Sequence, residues 1–105
     1  MTPEGRVKAK VKSLLSGFNV YQHWPVQAGY GKPCLDCHGC HNGRYFAVET
    51  KAPGKRPTPR QEITIEEIQE AGGATFVVGL YKTNDSKFPY SGMKELYEWL
   101  NDSNQ

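Results

Sequence analysis

No stretch of this 105-residue chain is apolar for anything near the length of a membrane span, and Met1-Thr2-Pro3-Glu4 does not open a signal peptide. A soluble, intracellular protein is the expectation. Apolar residues are scarce, at 37%, against 11 glycines and 7 prolines. That balance predicts one domain, residues 1–105, with a modest core and long connections around a small sheet. The three cysteines are an odd number, which argues against a disulfide framework. Neither sign of charge dominates, and a net +2 is too small to establish a nucleic-acid partner. Repeats and low-complexity segments are missing too.

The charge distribution says more than its sum. Lys51, Lys55, Arg56 and Arg60 sit in a stretch without an acid, and Arg6, Lys8, Lys10 and Lys12 form a second basic group. Acids collect from Glu62 to Glu70. Ahead of the first basic stretch, Glu49 and Lys51 alternate at the end of the apolar run Tyr45-Phe46-Ala47-Val48, so in a strand they share a face. Asn42-Gly43 is a hairpin signal, and the paired strand would carry Asp36 towards Glu49. Two carboxylates beside an ammonium suit a hard cation and phosphodiester cleavage. A surface strand with a salt bridge has the same residues.

Thr2-Pro3 reads as an N-cap with proline at the first helical position, and Val7, Val11, Leu14 and Leu15 recur at helical spacing up to Ser16-Gly17. Glu4 falls on that inner stripe, either as a first-turn acid facing the helix dipole or as a third carboxylate reaching towards the cation. Phe18 to Trp24 predicts a first strand, and Cys34–His41 with Arg44–Lys51 predicts a hairpin. Ala52 to Pro57 is irregular. Thr58-Pro59-Arg60-Gln61 opens a second helix as a capping box running to Gly72-Gly73, where Gln61 is a cap or a polar group held beside the carboxylates. Ala74 to Leu80 reads as a central strand buried on both faces, parallel to a hairpin strand. Met93, Leu96, Trp99 and Leu100 mark a last helix. The order is α-β-β-β-α-β-α: an α/β protein with a small mixed sheet flanked by helices.

Cys34, Cys37 and Cys40 with His38 and His41 raise the alternative of zinc. In a strand, however, Cys37 faces away from Cys34 and Cys40, so the three do not converge. A zinc-binding interaction domain and a catalytically silent nucleic-acid-binding module are the competing readings.

Taken together, Glu4, Leu35-Asp36, Glu49-x-Lys51, Ala52-Pro53-Gly54-Lys55 and Thr58-Pro59-x-x-Gln61 resemble the VRR-Nuc family of the PD-(D/E)xK nuclease superfamily. The likeness spans essentially the whole chain and departs at Leu35, where the family usually has proline. It implies a restriction-endonuclease-like core and a Mg²⁺- or Mn²⁺-dependent endodeoxyribonuclease. It further implies Asp36, Glu49 and the backbone carbonyl of Thr50 as metal ligands, with Glu4 on the metal or its water. Lys51 would be catalytic and Gln61 would position Lys51 or the attacking water. Lys55, Arg56 and Arg60 next to the cut, with Lys8 and Lys12 from the other basic group, are the expected DNA contacts. The chain is most similar in organisation to stand-alone phage and bacterial members. These imply branched DNA such as a Holliday junction as substrate, and a homodimer. The aromatic residues least needed by a small core, Phe18, Tyr21, Trp24 or Tyr30, are the candidate interface. No membrane partner is expected, and the setting is cytoplasmic, in the host cell if the protein is phage-encoded.

Overall fold

The computed structural model of the protein describes residues 1–26 and 31–102. Helix α1, Pro3–Ser16, starts where Thr2 Oγ1 accepts from the Gly5 N–H at 3.0 Å and buries Val7, Val11 and Leu15. Three strands follow: β1 Tyr21–His23, β2 Cys37–His41 and β3 Arg44–Thr50. Asn42 and Gly43 both have positive φ, 53° and 77°, so the β2–β3 hairpin closes through the left-handed turn that Asn-Gly favours. Helix α2, Pro59–Glu70, opens with the full capping box of Thr58 and Gln61. Strand β4, Ala74–Val78, and helix α3, Met93–Asn101, complete the order α-β-β-β-α-β-α.

The sheet runs β1-β2-β3-β4, antiparallel except for the parallel β3–β4 pair. One face carries Cys37, Phe46, Val48 and Val78 into a core shared with α1 and α3. The other face carries Ala47 and Glu49, and α2 packs there against β4, where Gln69 donates to Thr75 at 2.8 Å. Among the described residues, no helix is long and apolar enough to cross a membrane.

Three sequence expectations are corrected. The first strand is only Tyr21–His23. Phe18 instead packs edge-on to His41 and Tyr97 in the core, so its β-forming character serves packing, and Phe18 is not free for a dimer interface. Strand β2 starts at Cys37, leaving Cys34, Leu35 and Asp36 in the segment that leads into it. Finally, β4 is an edge strand and not a central one. Its apolar sequence reflects helices on both faces, α2 on one and α3 on the other, which periodicity cannot distinguish from flanking strands. Tyr30 lies outside the described residues.

Candidate active site

The hairpin register pairs Cys37 with Val48, which sets Asp36 opposite Glu49 where β2 begins and β3 ends. Three hydrogen bonds tie Asp36 to the end of β3, one to Glu49 and two to Thr50. The Asp36 N–H donates to Glu49 Oε1 at 3.3 Å, while Asp36 Oδ2 accepts from the Thr50 N–H at 3.0 Å and from Thr50 Oγ1 at 2.7 Å. Thr50 is wholly buried, so its hydroxyl holds one carboxylate oxygen of Asp36 in place. Sequence reading assigned Thr50 only a carbonyl role and missed its side chain; a hydroxyl between Glu49 and Lys51 was the available signal.

Glu49 is 2% exposed, and Lys51 Nζ lies 3.4 Å from its Oε2. Burial, and then the negative charge of Asp36, push the Glu49 carboxyl up from its ordinary 4.5 to about 7; the Lys51 ammonium only partly opposes them. Lys51 is itself fixed by its N–H, which donates to the Val78 carbonyl at 2.9 Å. Gly79 makes that approach possible. Its φ is 107°, and a Cβ there would stand 2.0 Å from the Lys51 carbonyl oxygen. This glycine was not singled out in the sequence.

Asp36 opens into a cleft of about 460 Å³ lined by Lys8, Lys12, Trp24, Pro25 and Gln61. Lys12 lies over the Trp24 ring, 5.0 Å from its centroid. The cleft gathers residues from α1, the end of β1 and the start of α2, so elements far apart in sequence meet at one carboxylate. Gln61 caps α2 and also borders the cleft. Its Oε1 accepts from the Thr58 N–H at 2.9 Å, and its side chain borders the cleft with the Nε2 donors unused by the box.

Other expected site residues lie elsewhere. Glu4 pairs at 3.6 Å with Lys8, which lines the cleft, and among the described residues it forms no metal-holding group of three with Asp36 and Glu49. Lys55 and Arg56 line a separate groove of about 880 Å³ with Glu62, Glu66 and Tyr81. The cause is local: a turn from Ala52 to Lys55, closed by Lys55 N–H to the Ala52 carbonyl at 3.0 Å with Gly54 at φ 90°, redirects the chain just after Lys51. Arg60 lies beside Ile63 and Glu67 on another side of α2.

The cysteines do not form a ligand set. Cys37 is buried on the core face, and burial pushes its thiol up to about 12, disfavouring the thiolate that zinc needs. Cys40 is exposed on the opposite face. Among the described residues, no three of His, Cys, Asp and Glu converge as a metal-holding group.

No protein-family model and no curated protein matches the chain. Among solved structures, a chain described as a VRR_NUC domain is similar, with a TM-score of 0.64 and 26% identity over 75% of this chain and 86% of that one. The protein therefore has a VRR-Nuc family fold, the architecture of a nuclease domain. That family implies a divalent metal. The residues fit one: a buried carboxylate held against a second, with a raised pKa, is a pair whose mutual repulsion a hard dication relieves.

Proposed function

We propose that this protein is a divalent-metal-dependent endodeoxyribonuclease hydrolysing phosphodiester bonds in branched DNA. The observation that carries the reading is the Asp36–Glu49–Lys51 cluster at the mouth of a cleft lined by Lys8 and Lys12. Asp36 and Glu49 would hold Mg²⁺ or Mn²⁺, with the Thr50 carbonyl as a further ligand. When bound, the cation supplies positive charge to a phosphate oxygen and acidifies a water.

The chain's own groups supply the rest. Thr50 fixes Asp36 through two hydrogen bonds, so the carboxylate is aimed before substrate arrives. Lys51 carries its ammonium to the carboxylates, where it neutralises charge that grows on the phosphate during displacement. Gln61 offers its Nε2 donors at the cleft wall to orient the attacking water or Lys51. Lys8 and Lys12 draw the phosphate backbone into the cleft, and Glu4 orients Lys8. Lys55, Arg56 and Arg60 contact phosphates farther along the duplex, outside the cleft.

A four-way junction must be cut on two strands, and a two-fold homodimer supplies two identical sites at fixed separation. The working unit is residues 1–105 as one nuclease domain acting in the cytoplasm. The test is cleavage of linear, flapped and four-way DNA with Mg²⁺ or Mn²⁺. Cutting of branched DNA that disappears in Asp36→Ala and Glu49→Ala, with DNA binding retained, supports the reading. Wild-type rates in either variant overturn it.

A further inference from the structure

The face of the sheet that holds Glu49 is covered by α2 only on its β3–β4 side. Across β1, β2 and β3 the register places Tyr21, Cys40 and Tyr45 in one row, then His23, His38 and Ala47 in the next. Asp36 and Glu49 follow as the third row, two residues beyond His38 and Ala47, roughly 7 Å along the strands. Tyr21 is 66% and Tyr45 45% exposed, and His23 and Cys40 are exposed as well. Three of the rings meet: His23 packs edge-on to His38 at 5.4 Å, and His38 is tilted against Tyr45 at 5.9 Å between centroids. Beside His38 and Tyr45 the sheet and α2 enclose a groove of about 530 Å³, mainly apolar, walled by Leu35, Thr64, Ile68 and Gly73.

Four rings on one open face, starting next to the carboxylates, have no use in the core or in the hydrolysis just described. We propose that Tyr21, His23, His38 and Tyr45 form a stacking platform for unpaired bases, so that the strand entering the cleft does so from a single-stranded segment. The proposal rests on the nuclease reading and specifies its substrate. Rings stack on every base through their faces, without sequence preference.

The charge pattern agrees. The platform carries no acid, whereas α2 turns Glu62, Glu66 and Glu70 outward. Lys32, paired with Glu67 at 3.6 Å, stands at the groove rim, and Lys8 and Lys12 line the adjoining cleft. A polyanion is thus admitted along the ring face and repelled from the helix.

The test measures binding of the full chain without divalent metal, using fluorescence anisotropy. The probes are a fluorescein-labelled oligothymidine, a duplex of equal charge and an abasic strand of equal length. Wild-type protein should prefer the oligothymidine to the abasic strand. Tyr21→Ala and Tyr45→Ala should each weaken oligothymidine binding about tenfold. Duplex and abasic binding should not move, and Tyr21→Phe and Tyr45→Phe should restore the affinity. Equal affinity for oligothymidine and abasic strand, or unchanged oligothymidine binding in both alanine variants, overturns the platform while leaving the nuclease reading intact. Variants that lose a dimer by light scattering without losing base-dependent binding assign the face to a second copy and also overturn it. Failure of the nuclease reading looks different: no probe binds, and branched DNA is not cut.

Discussion

The two ends of strand β3 both bury polar side chains, and they do so on opposite terms. At the hairpin end, His41 Nε2 lies 2.9 Å from the Leu100 carbonyl, and Arg44 Nη2 donates to the Trp99 carbonyl at 3.2 Å while its guanidinium stacks on the Trp99 ring at 4.0 Å. These contacts meet the carbonyls that a helix C-terminus leaves open, so they fasten α3 to the sheet. At the other end, Glu49 is buried against Asp36, an arrangement that raises its pKa and works against folding at neutral pH. The first end meets its cation with a helix carbonyl and an indole face, although Arg44 Nε and Nη1 stay buried without a hydrogen-bond partner. The second calls for a cation. The difference is one of sign: a guanidinium against helix carbonyls fastens a helix, whereas two adjacent carboxylates suit a dication.

The contrast breaks most visibly if the carboxylates are removed. Asp36→Ala and Glu49→Gln should reduce cleavage to the detection limit and leave DNA binding within about twofold, because the lysines of the cleft remain. Glu49→Gln should also raise the melting temperature of metal-free protein at pH 8, since a neutral amide replaces a charge that burial disfavours. A lower melting temperature would mean that Glu49 is structurally satisfied and that the two ends of β3 are alike.

Titration sharpens the same point. Folded, metal-free protein holds the Glu49 proton up to about pH 7, whereas the unfolded chain releases it near 4.5. Stability from this group is therefore fully present below pH 4.5 and is lost as pH rises through 7, amounting to about 3 kcal/mol. Denaturant unfolding with a chelator from pH 4.5 to 8 should show that decline, and Glu49→Gln should flatten it. Mg²⁺ should restore stability chiefly above pH 7, where the carboxylate is ready to bind without first losing a proton.

Gly79→Ala comes next in size. Its φ of 107° and the 2.0 Å approach to the Lys51 carbonyl leave no room for a Cβ, so a loss of about 1–3 kcal/mol is expected. Cleavage per folded molecule should fall as well, because the clash acts on the backbone of Lys51. Chemical denaturation paired with single-turnover rates separates the two effects. At the hairpin end, His41→Ala should lose a comparable ~1–2 kcal/mol through its bond to Leu100. The rate of the folded fraction there should stay at the wild-type value.

Local chemistry made most of this site readable. Asn42-Gly43 determines the hairpin, the hairpin determines that Asp36 meets Glu49, and alternation brings Lys51 to the same side. Thr58-Pro59-x-x-Gln61 likewise encodes its own capping box. What failed to read depended on the third dimension. The apolar run of β4 records two covered faces, and nothing in it says that the strand is at an edge. Glu4 shares a helical stripe with Val11 and Leu15 yet ends at Lys8, because helix periodicity fixes a face but not how far along that face the site lies. Lys55, Arg56 and Arg60 form a continuous basic stretch in sequence, and the turn at Gly54 and the start of α2 disperse them over two sides of the helix.

That dispersal gives the smallest effect and the finest division. Lys12 lines the cleft at the carboxylate pair, whereas Lys55 lies in a groove where Glu62 and Glu66 already offset its charge. Each lysine that contacts a phosphate contributes about one unit to the slope of log affinity against log salt. Lys12→Ala should therefore remove about one unit of slope and also lower the cleavage rate of bound DNA, because it holds the strand at the reacting phosphate. Lys55→Ala should remove less than one unit, with the rate of bound DNA unchanged. Salt titrations of binding and single-turnover cleavage on the same four-way DNA measure both quantities. Equal slopes and equal rate losses for the two variants would place Lys55 at the cut beside Lys12. The groove behind Gly54 would then belong to the DNA path.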